Sequence, residues 1–211
     1  LEFEALPPLD AILVTHNHYD HCDLPTLRRL AARAQTPVLT GLGNAALIAP
    51  TGLGPVTELD WWQSHVLPGG ACITYTPAQH GSARGPFDRC RMLWGGFCIE
   101  AGGGRIFASG DTAWGGHLEA IGDTLGPFDA VLLPIGAYDP EWFMSSVHIT
   151  PEQAVAAHHA LRARISIAMH WGVFRLSGEA IDEPPARVRA ARGEADFHTP
   201  EFGETVMVRL G

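Results

Sequence analysis

The residues best able to do chemistry lie together near the start of the chain, in His16-Asn17-His18-Tyr19-Asp20-His21, an HxHxDH pattern. At the end of an extended strand, residues two apart point the same way, roughly 7 Å apart along the backbone. His16 and His18 can therefore converge on one metal ion at the ~2.1 Å expected of a zinc–nitrogen bond. Asp20 and His21 lie past the turn, displaced toward a second ion. A lone histidine is ordinarily a hydrogen-bonded polar residue. Four ligand-type side chains in six residues are harder to explain structurally, because unpaired buried polar groups are costly.

Three more residues stand where the same site would need them. His80, Asp111 and His170 follow the apolar runs Cys72–Thr76, Ile106–Ser109 and Ile165–Met169 directly or within a few residues. In α/β proteins, sites gather at the carboxyl ends of strands, so these ends can meet. With the hexapeptide they complete a seven-ligand set for two metal ions.

The elements that must position these residues follow a recurring pattern: a short β-rich apolar run that ends in a polar, Gly-rich or His-containing turn. Ala11–Val14 runs into Thr15-His16, and Ala130–Ile135 into Gly136-Ala137-Tyr138. Continuous apolar runs of this kind read as strands buried on both faces. Gly102-Gly103-Gly104, between Phe97–Glu100 and Arg105–Ser109, predicts a hairpin. Leu24, Leu27, Leu30, Ala31 and Ala34 recur at helical spacing after Asp23, a good N-cap. Thr150-Pro151-Glu152-Gln153 is a capping box that opens a helix to about Ala163. A third helix is expected over Ala186–Ala191 and a closing strand over Val206–Leu210. Mixed strands and helices, with the strands covered on both faces, indicate a layered α/β protein.

Composition narrows the function. The 211 residues suit one domain, spanning 1–211. The net charge is −9 and every one of the 14 basic residues is Arg. An acidic chain without a basic stripe argues against nucleic acid as a partner and against a nuclease. The longest apolar runs fall well short of the ~20 residues of a membrane-spanning helix. No secretion signal is visible. Cys22, Cys72, Cys90 and Cys98 form no CxxC pair. They read as free thiols in a reducing compartment, so a cytoplasmic location is expected. The Lys-free composition hints at a high-GC bacterial source.

HxHxDH followed by separated His, Asp and His resembles the metallo-β-lactamase superfamily. More narrowly, the chain is similar to the branch of N-acyl-phosphatidylethanolamine-hydrolysing phospholipase D and its bacterial relatives. The matching stretches are THNHYDHCD (Thr15–Asp23), PAQHGSARG (Pro77–Gly85), LWGGF (Leu93–Phe97), SGDT (Ser109–Thr112), GPFD (Gly126–Asp129), PIGAYDPEWFM (Pro134–Met144), HITPEQAVAAH (His148–His158) and MHWGVF (Met169–Phe174). They span almost the whole chain. The resemblance implies an αββα four-layer sandwich. It also implies that His16, His18 and His80 bind one metal, that Asp20, His21 and His170 bind the other, and that Asp111 bridges them. His148 would stand near the substrate or its leaving group; the plainer reading is that it fixes the start of the next helix.

Two divalent ions contribute +4, and Asp20, Asp111 and a bridging hydroxide remove three, leaving about +1. Such a centre makes hydroxide available near neutral pH, so no side-chain nucleophile is required. Zinc is the expected ion, with manganese or iron as alternatives. The expected reaction is hydrolysis of a phosphodiester, for example a phospholipid of the N-acyl-phosphatidylethanolamine type, with peripheral membrane contact. The alternatives are a lactonase acting on a sugar phosphate or other ring ester, and a non-catalytic metal-binding scaffold.

The chain departs from the resembled family in four ways. The metal motif begins at residue 16, where relatives carry several strands first, so an N-terminal portion with its strands is expected to be missing. Gly81 replaces the Trp that commonly follows the third histidine, and Ala113-Trp114 replaces Gly-Tyr after the bridging Asp. Cys22 stands where Leu is frequent, and its thiol reads as buried and inert. Gly41-Leu42-Gly43-Asn44-Ala45-Ala46 matches GxGxxA but lacks a well-placed βαβ unit, and reads as a loop into a small helix. Trp61-Trp62 reads as either core packing or a substrate-facing patch. His158-His159 read as helix-face residues.

Overall fold

The computed structural model describes residues 2–211. Along the chain run β1 (Ile12–Val14), α1 (Leu24–Ala31), β2 (Val38–Gly41), α2 (Ala45–Ile48) and β3 (Val56–Leu59). Then come β4 (Ser64–Val66), β5 (Cys72–Thr76), β6 (Gly96–Ala101) and β7 (Gly104–Ala108). The remainder is α3 (His117–Leu125), β8 (Phe128–Pro134), α4 (Glu141–Met144), α5 (Pro151–Ala160), β9 (Ala163–Met169), α6 (Glu183–Ala191) and β10 (Phe197–His198).

The strands form two sheets. One is a parallel sheet in the order β1-β2-β3. The other has seven strands in the order β10-β9-β8-β7-β6-β5-β4, parallel from β10 to β7 and antiparallel from β7 to β4.

The period-2 alternation of strand side chains sorts the apolar residues into three cores. On β2, Val38 joins Val14, Leu27 and Ile48 between the smaller sheet and its helices α1 and α2. Its neighbour Leu39 points the other way, to meet Ile73, Tyr75 and Phe97 between the two sheets. On β6, Phe97 and Ile99 face that middle core, while Cys98 faces Phe107, Ile121, Val155 and Val188 on the outer side. Three apolar interlayers require four layers, helix–sheet–sheet–helix, which is the αββα sandwich expected from the sequence.

Local signals explain most boundaries. Asp23 caps α1 by accepting from Thr26 N at 2.9 Å. Both halves of the Thr150/Gln153 capping box are made at α5. The β6–β7 hairpin closes with Gly102 and Gly103, both at positive φ, the conformation a two-residue primed turn needs.

Some expectations fail. The capping-box helix ends at Ala160, because Arg162 turns left-handed (φ 52°) and Ala163 already begins β9. Val206–Leu210 forms no strand; the segment is irregular and lays Leu210 against Gly104. The short closing strand is instead β10, paired with β9.

Candidate metal centre

The eight residues singled out from the sequence come together at one edge of the sandwich, where β1, β5, β7 and β9 end. His16, one residue beyond β1 and Thr15, is almost fully buried. Its Nε2 lies 2.9 Å from His18 Nδ1, and the same His18 nitrogen lies 3.2 Å from His80 Nε2. One ring nitrogen holds either a proton or a lone pair, so hydrogen bonding can account for only one of these contacts. A shared cation accommodates all three lone pairs. His80 is oriented for that role, since its Nδ1 donates to the Val147 carbonyl at 2.8 Å and leaves Nε2 facing the others.

Asp111 joins this trio to a second group. Its Oδ2 is 3.1 Å from His21 Nε2 and 3.3 Å from His170 Nε2, and 3.7 Å and 3.9 Å from the Nε2 atoms of His80 and His16. Asp20 Oδ2 lies 3.4 Å from both His21 Nε2 and His170 Nε2. The donor atoms of Asp20, His21, Asp111 and His170 fall within 4.8 Å of one another, as do those of His16, His18 and His80. His21 Nε2 and Asp111 Oδ1 are buried without a hydrogen-bond partner. A close-packed set of nitrogens and carboxylate oxygens that do not all satisfy one another by hydrogen bonds fits divalent metal binding.

The backbone is bent to place these groups. Gly110 (φ 61°) must be glycine, since a Cβ there would come within 2.9 Å of both Gly95 O and Thr15 Cβ. That close approach brings Asp111 back beside the end of β1. His170 itself is left-handed (φ 57°), a strained conformation for a residue with a side chain and one that gathers at functional sites.

The electrostatics split the centre. Burial pushes His16, His18 and His80 below the usual histidine range, so the trio is neutral and ready to donate lone pairs. Burial would also push His21 down, but Asp111 and Asp20 override it and raise it to about 10. In the same way burial opposes ionisation of Asp20 and Asp111, yet the neighbouring histidines hold both carboxyls well below their usual range. The two carboxylates thus demand positive charge where they meet.

His148 lies between α4 and α5, its N–H bonded to Met144 O at 2.9 Å. Its ring stacks on His170 with centroids 5.4 Å apart and meets His80 edge-on at 5.1 Å. Nδ1 is buried with no partner, and burial lowers the group to about 4. A cavity of about 350 Å³ opens here, lined by His18, Asp20, His80, Asp111, His148 and His170. A second, of about 250 Å³, adjoins it at Trp171, Val173, Phe174 and Leu176.

The other motifs lie elsewhere. The GxGxxA loop offers no phosphate cradle, because Glu58 Oε1 already accepts from Ala45 N at 2.6 Å. Trp61 donates to Trp94 O at 2.7 Å and packs on the middle core, while Trp62 is partly exposed. Cys22 is buried and its thiol is pushed up by burial. His158 hydrogen-bonds Ser166 on β9. Sequence reasoning missed the Val147 carbonyl, which has no side-chain signature. It also missed Glu179, whose carboxylate accepts from the N–H of Ala137, held left-handed (φ 64°) in the cavity wall.

Comparison with known proteins agrees with the fold. A family model described as β-lactamase superfamily domain matches residues 2–171. An N-acyl-phosphatidylethanolamine-hydrolysing phospholipase D of Caenorhabditis elegans is 39% identical over 82% of the chain, and the chain spans about half (52%) of that relative's length. A metal-dependent hydrolase of Cupriavidus taiwanensis is 31% identical over 97% of the chain and 73% of its own length. Among solved structures, a metallo hydrolase of the archaeon Ignicoccus hospitalis shares the fold with a TM-score of 0.71, at 24% identity over 93% of this chain and 78% of that one.

Proposed function

The chain belongs to the β-lactamase superfamily domain family, and on that footing we propose that it is a hydrolase working with two divalent metal ions at this centre. His16, His18 and His80 hold one ion, Asp20, His21 and His170 the other, and Asp111 bridges them. The observation that carries this reading is Asp111 Oδ2, which lies within 4 Å of imidazole nitrogens from both groups. Five imidazoles and two carboxylates suit zinc, with manganese or iron next.

When bound, such ions supply an activated water near neutral pH and a Lewis acid for developing negative charge. The chain's own residues orient the substrate. His148, neutral above about 4, lines the cavity and has a Nδ1 with no partner in the protein, and we assign it a contact with the departing group. The strained Ala137 and His170 backbones fix the walls on either side.

The substrate class we infer is a phosphodiester bearing apolar chains, such as an N-acyl-phosphatidylethanolamine. Two features support it: the 39% identical relative named for that activity, and the mouth of the site. Val173, Phe174 and Leu176 are all at least half exposed there, beside a strongly polar centre. An amphiphile pairs both surfaces. No helix among the described residues is long and apolar enough to cross a membrane.

The test is hydrolysis of a phosphodiester panel, including N-acyl-phosphatidylethanolamine vesicles, by zinc-reconstituted protein with a chelator control. Chelator-sensitive release of phosphatidic acid is expected. Turnover of lactones but not phosphodiesters would overturn the substrate class, and failure to bind metal at all would overturn the centre.

A further inference from the structure

The turn that carries the hexapeptide is braced from behind by a loop with no ligand of its own. Residues 81–92 tie themselves together: Cys90 N donates to Ser82 O at 2.7 Å, and Asp88 accepts from the N–H groups of Arg84 and Gly85. From this loop, Arg84 reaches across to the hexapeptide. Its Nη1 donates to the carbonyls of Asn17 at 3.0 Å and Cys22 at 2.8 Å. Its guanidinium sits 4.0 Å from the centre of the Tyr19 ring, and Tyr19 returns the contact by donating to Arg84 O at 3.0 Å. One nitrogen thus holds both ends of the turn 17–22.

We propose that Arg84 is a positioning residue that sets metal affinity by clamping this turn, and that its effect falls mainly on the Asp20/His21 half of the centre. The inference rests on the two-ion reading above. Within the turn, His21 N and Cys22 N both donate to His18 O, so its interior is closed locally. Its outer carbonyls at 17 and 22 are the ones Arg84 holds. The second ion draws two of its ligands, Asp20 and His21, from this turn. The first draws only His18, because His16 stands at the end of β1 and His80 is fixed by Val147 O. A slack turn therefore costs the second ion more.

The sign of the change separates this role from simple charge. Arg84 is a cation, so removing it would tighten metal binding if charge alone mattered. Loss of positioning weakens binding instead, typically by about 10–100-fold for groups that orient ligands.

The experiment titrates metal-free wild type, Arg84→Met and Arg84→Lys with Zn²⁺ against a competing chelator. Co²⁺ absorption reports the geometry, and metal-free melting temperatures control for folding. Wild type is expected to take two ions. Arg84→Met should bind the second about 10–100-fold more weakly with the first little changed. Arg84→Lys should recover most of the loss, because one ammonium nitrogen can bond both carbonyls as Nη1 does. Should Arg84→Met fail to fold, Tyr19→Leu, which removes the ring under the guanidinium, is expected to shift the second ion in the same direction by less. Unchanged or tightened binding in these variants, or equal weakening of both ions, would overturn the proposal. A raised KM with unaltered metal binding would also overturn it, by making Arg84 a substrate contact. Wild type that binds no metal fails the two-ion reading itself, which keeps the two failures apart.

Discussion

His148 and His158 lie ten residues apart and are about equally buried, at 8% and 6% exposure, yet the molecule treats them oppositely. His158, on the inner face of α5, has Ser166 Oγ 2.7 Å from its Nδ1 and rests against Phe197. His148, just before α5, leaves Nδ1 without a partner, as His170 does its Nδ1, His21 its Nε2 and Asp111 its Oδ1. Asn17, between two of the hexapeptide histidines, also has an unpartnered buried oxygen; among the described residues only Asn44 and Thr76 share that condition outside the centre. Buried polar groups are normally satisfied by the protein itself. In the scaffold they are, apart from Asn44 and Thr76. At the centre they converge without satisfying one another, which is the condition of groups reserved for something that binds. Burial alone does not distinguish a structural histidine from a functional one; the partner does.

The comparison is broken most directly at Asp111. Asp111→Asn keeps the shape but replaces a bridging carboxylate by an amide. Metal stoichiometry should fall below two per chain. Several kcal/mol of charge stabilisation would go with it, a rate loss on the order of 10³-fold or more. Metal analysis together with steady-state kinetics checks this, and a fully active variant with two bound ions would refute the bridging role. His148→Ala should act more narrowly. Both ions should stay while turnover drops by about 10²-fold, the usual worth of a positioned proton-transfer or hydrogen-bonding group. Metal lost from His148→Ala would instead make His148 a ligand.

How much of this was readable from the sequence depends on how local each signal is. The hexapeptide is readable because spacing alone puts four donors at one strand end. His80, Asp111 and His170 are readable because each closes an apolar run. The hairpin glycines and the Thr150 capping box write their geometry into adjacent residues. By contrast, α3 is bounded and interrupted by Gly116, Gly122 and Gly126, which read as loop, and at Gly122 the close approach of Ala160 O leaves no room for a side chain. The two-residue β10 has no period to detect, and Val206–Leu210 is largely apolar like a strand but finds no sheet to pair with. Arg84 and the Val147 carbonyl act through contacts more than 60 residues away in sequence, which no local pattern records.

A smaller effect sharpens the scaffold side. Ser166→Ala removes the one partner of His158 Nδ1 and leaves a buried polar atom unpaired, at a cost of about 1–3 kcal/mol. In a chain of this size that lowers the melting temperature by roughly 2–4 °C per kcal/mol. Metal content and turnover of the folded protein should not move. If Ser166→Ala instead lost metal or rate with unchanged melting, His158 would belong to the centre and the contrast would collapse.

The smallest predicted effect is a pH dependence, and its sign follows from burial. Burial pushes His158 below the usual histidine range; the neighbouring His159 adds to the shift, and Asp196 partly opposes it. The folded state therefore resists a proton that the unfolded chain accepts near 6.5. Stability that His158 contributes is complete above about 6.5. It is lost progressively as pH falls below that value, with a slope of at most about 1.4 kcal/mol per pH unit for one proton. The metal ligands titrate too, so the informative quantity is a difference. Urea unfolding of wild type and His158→Gln, both metal-loaded, should show a stability gap that is constant from pH 8 to 7 and shifts against wild type from pH 6.5 to 5. His158 is not among the residues of the centre, so the ligand contributions should largely cancel in that difference. A gap that stays flat through pH 5 would mean that His158 takes up a proton in the folded state without cost. Burial would then not be what keeps His158 uncharged in the folded chain, and the predicted sign would be wrong.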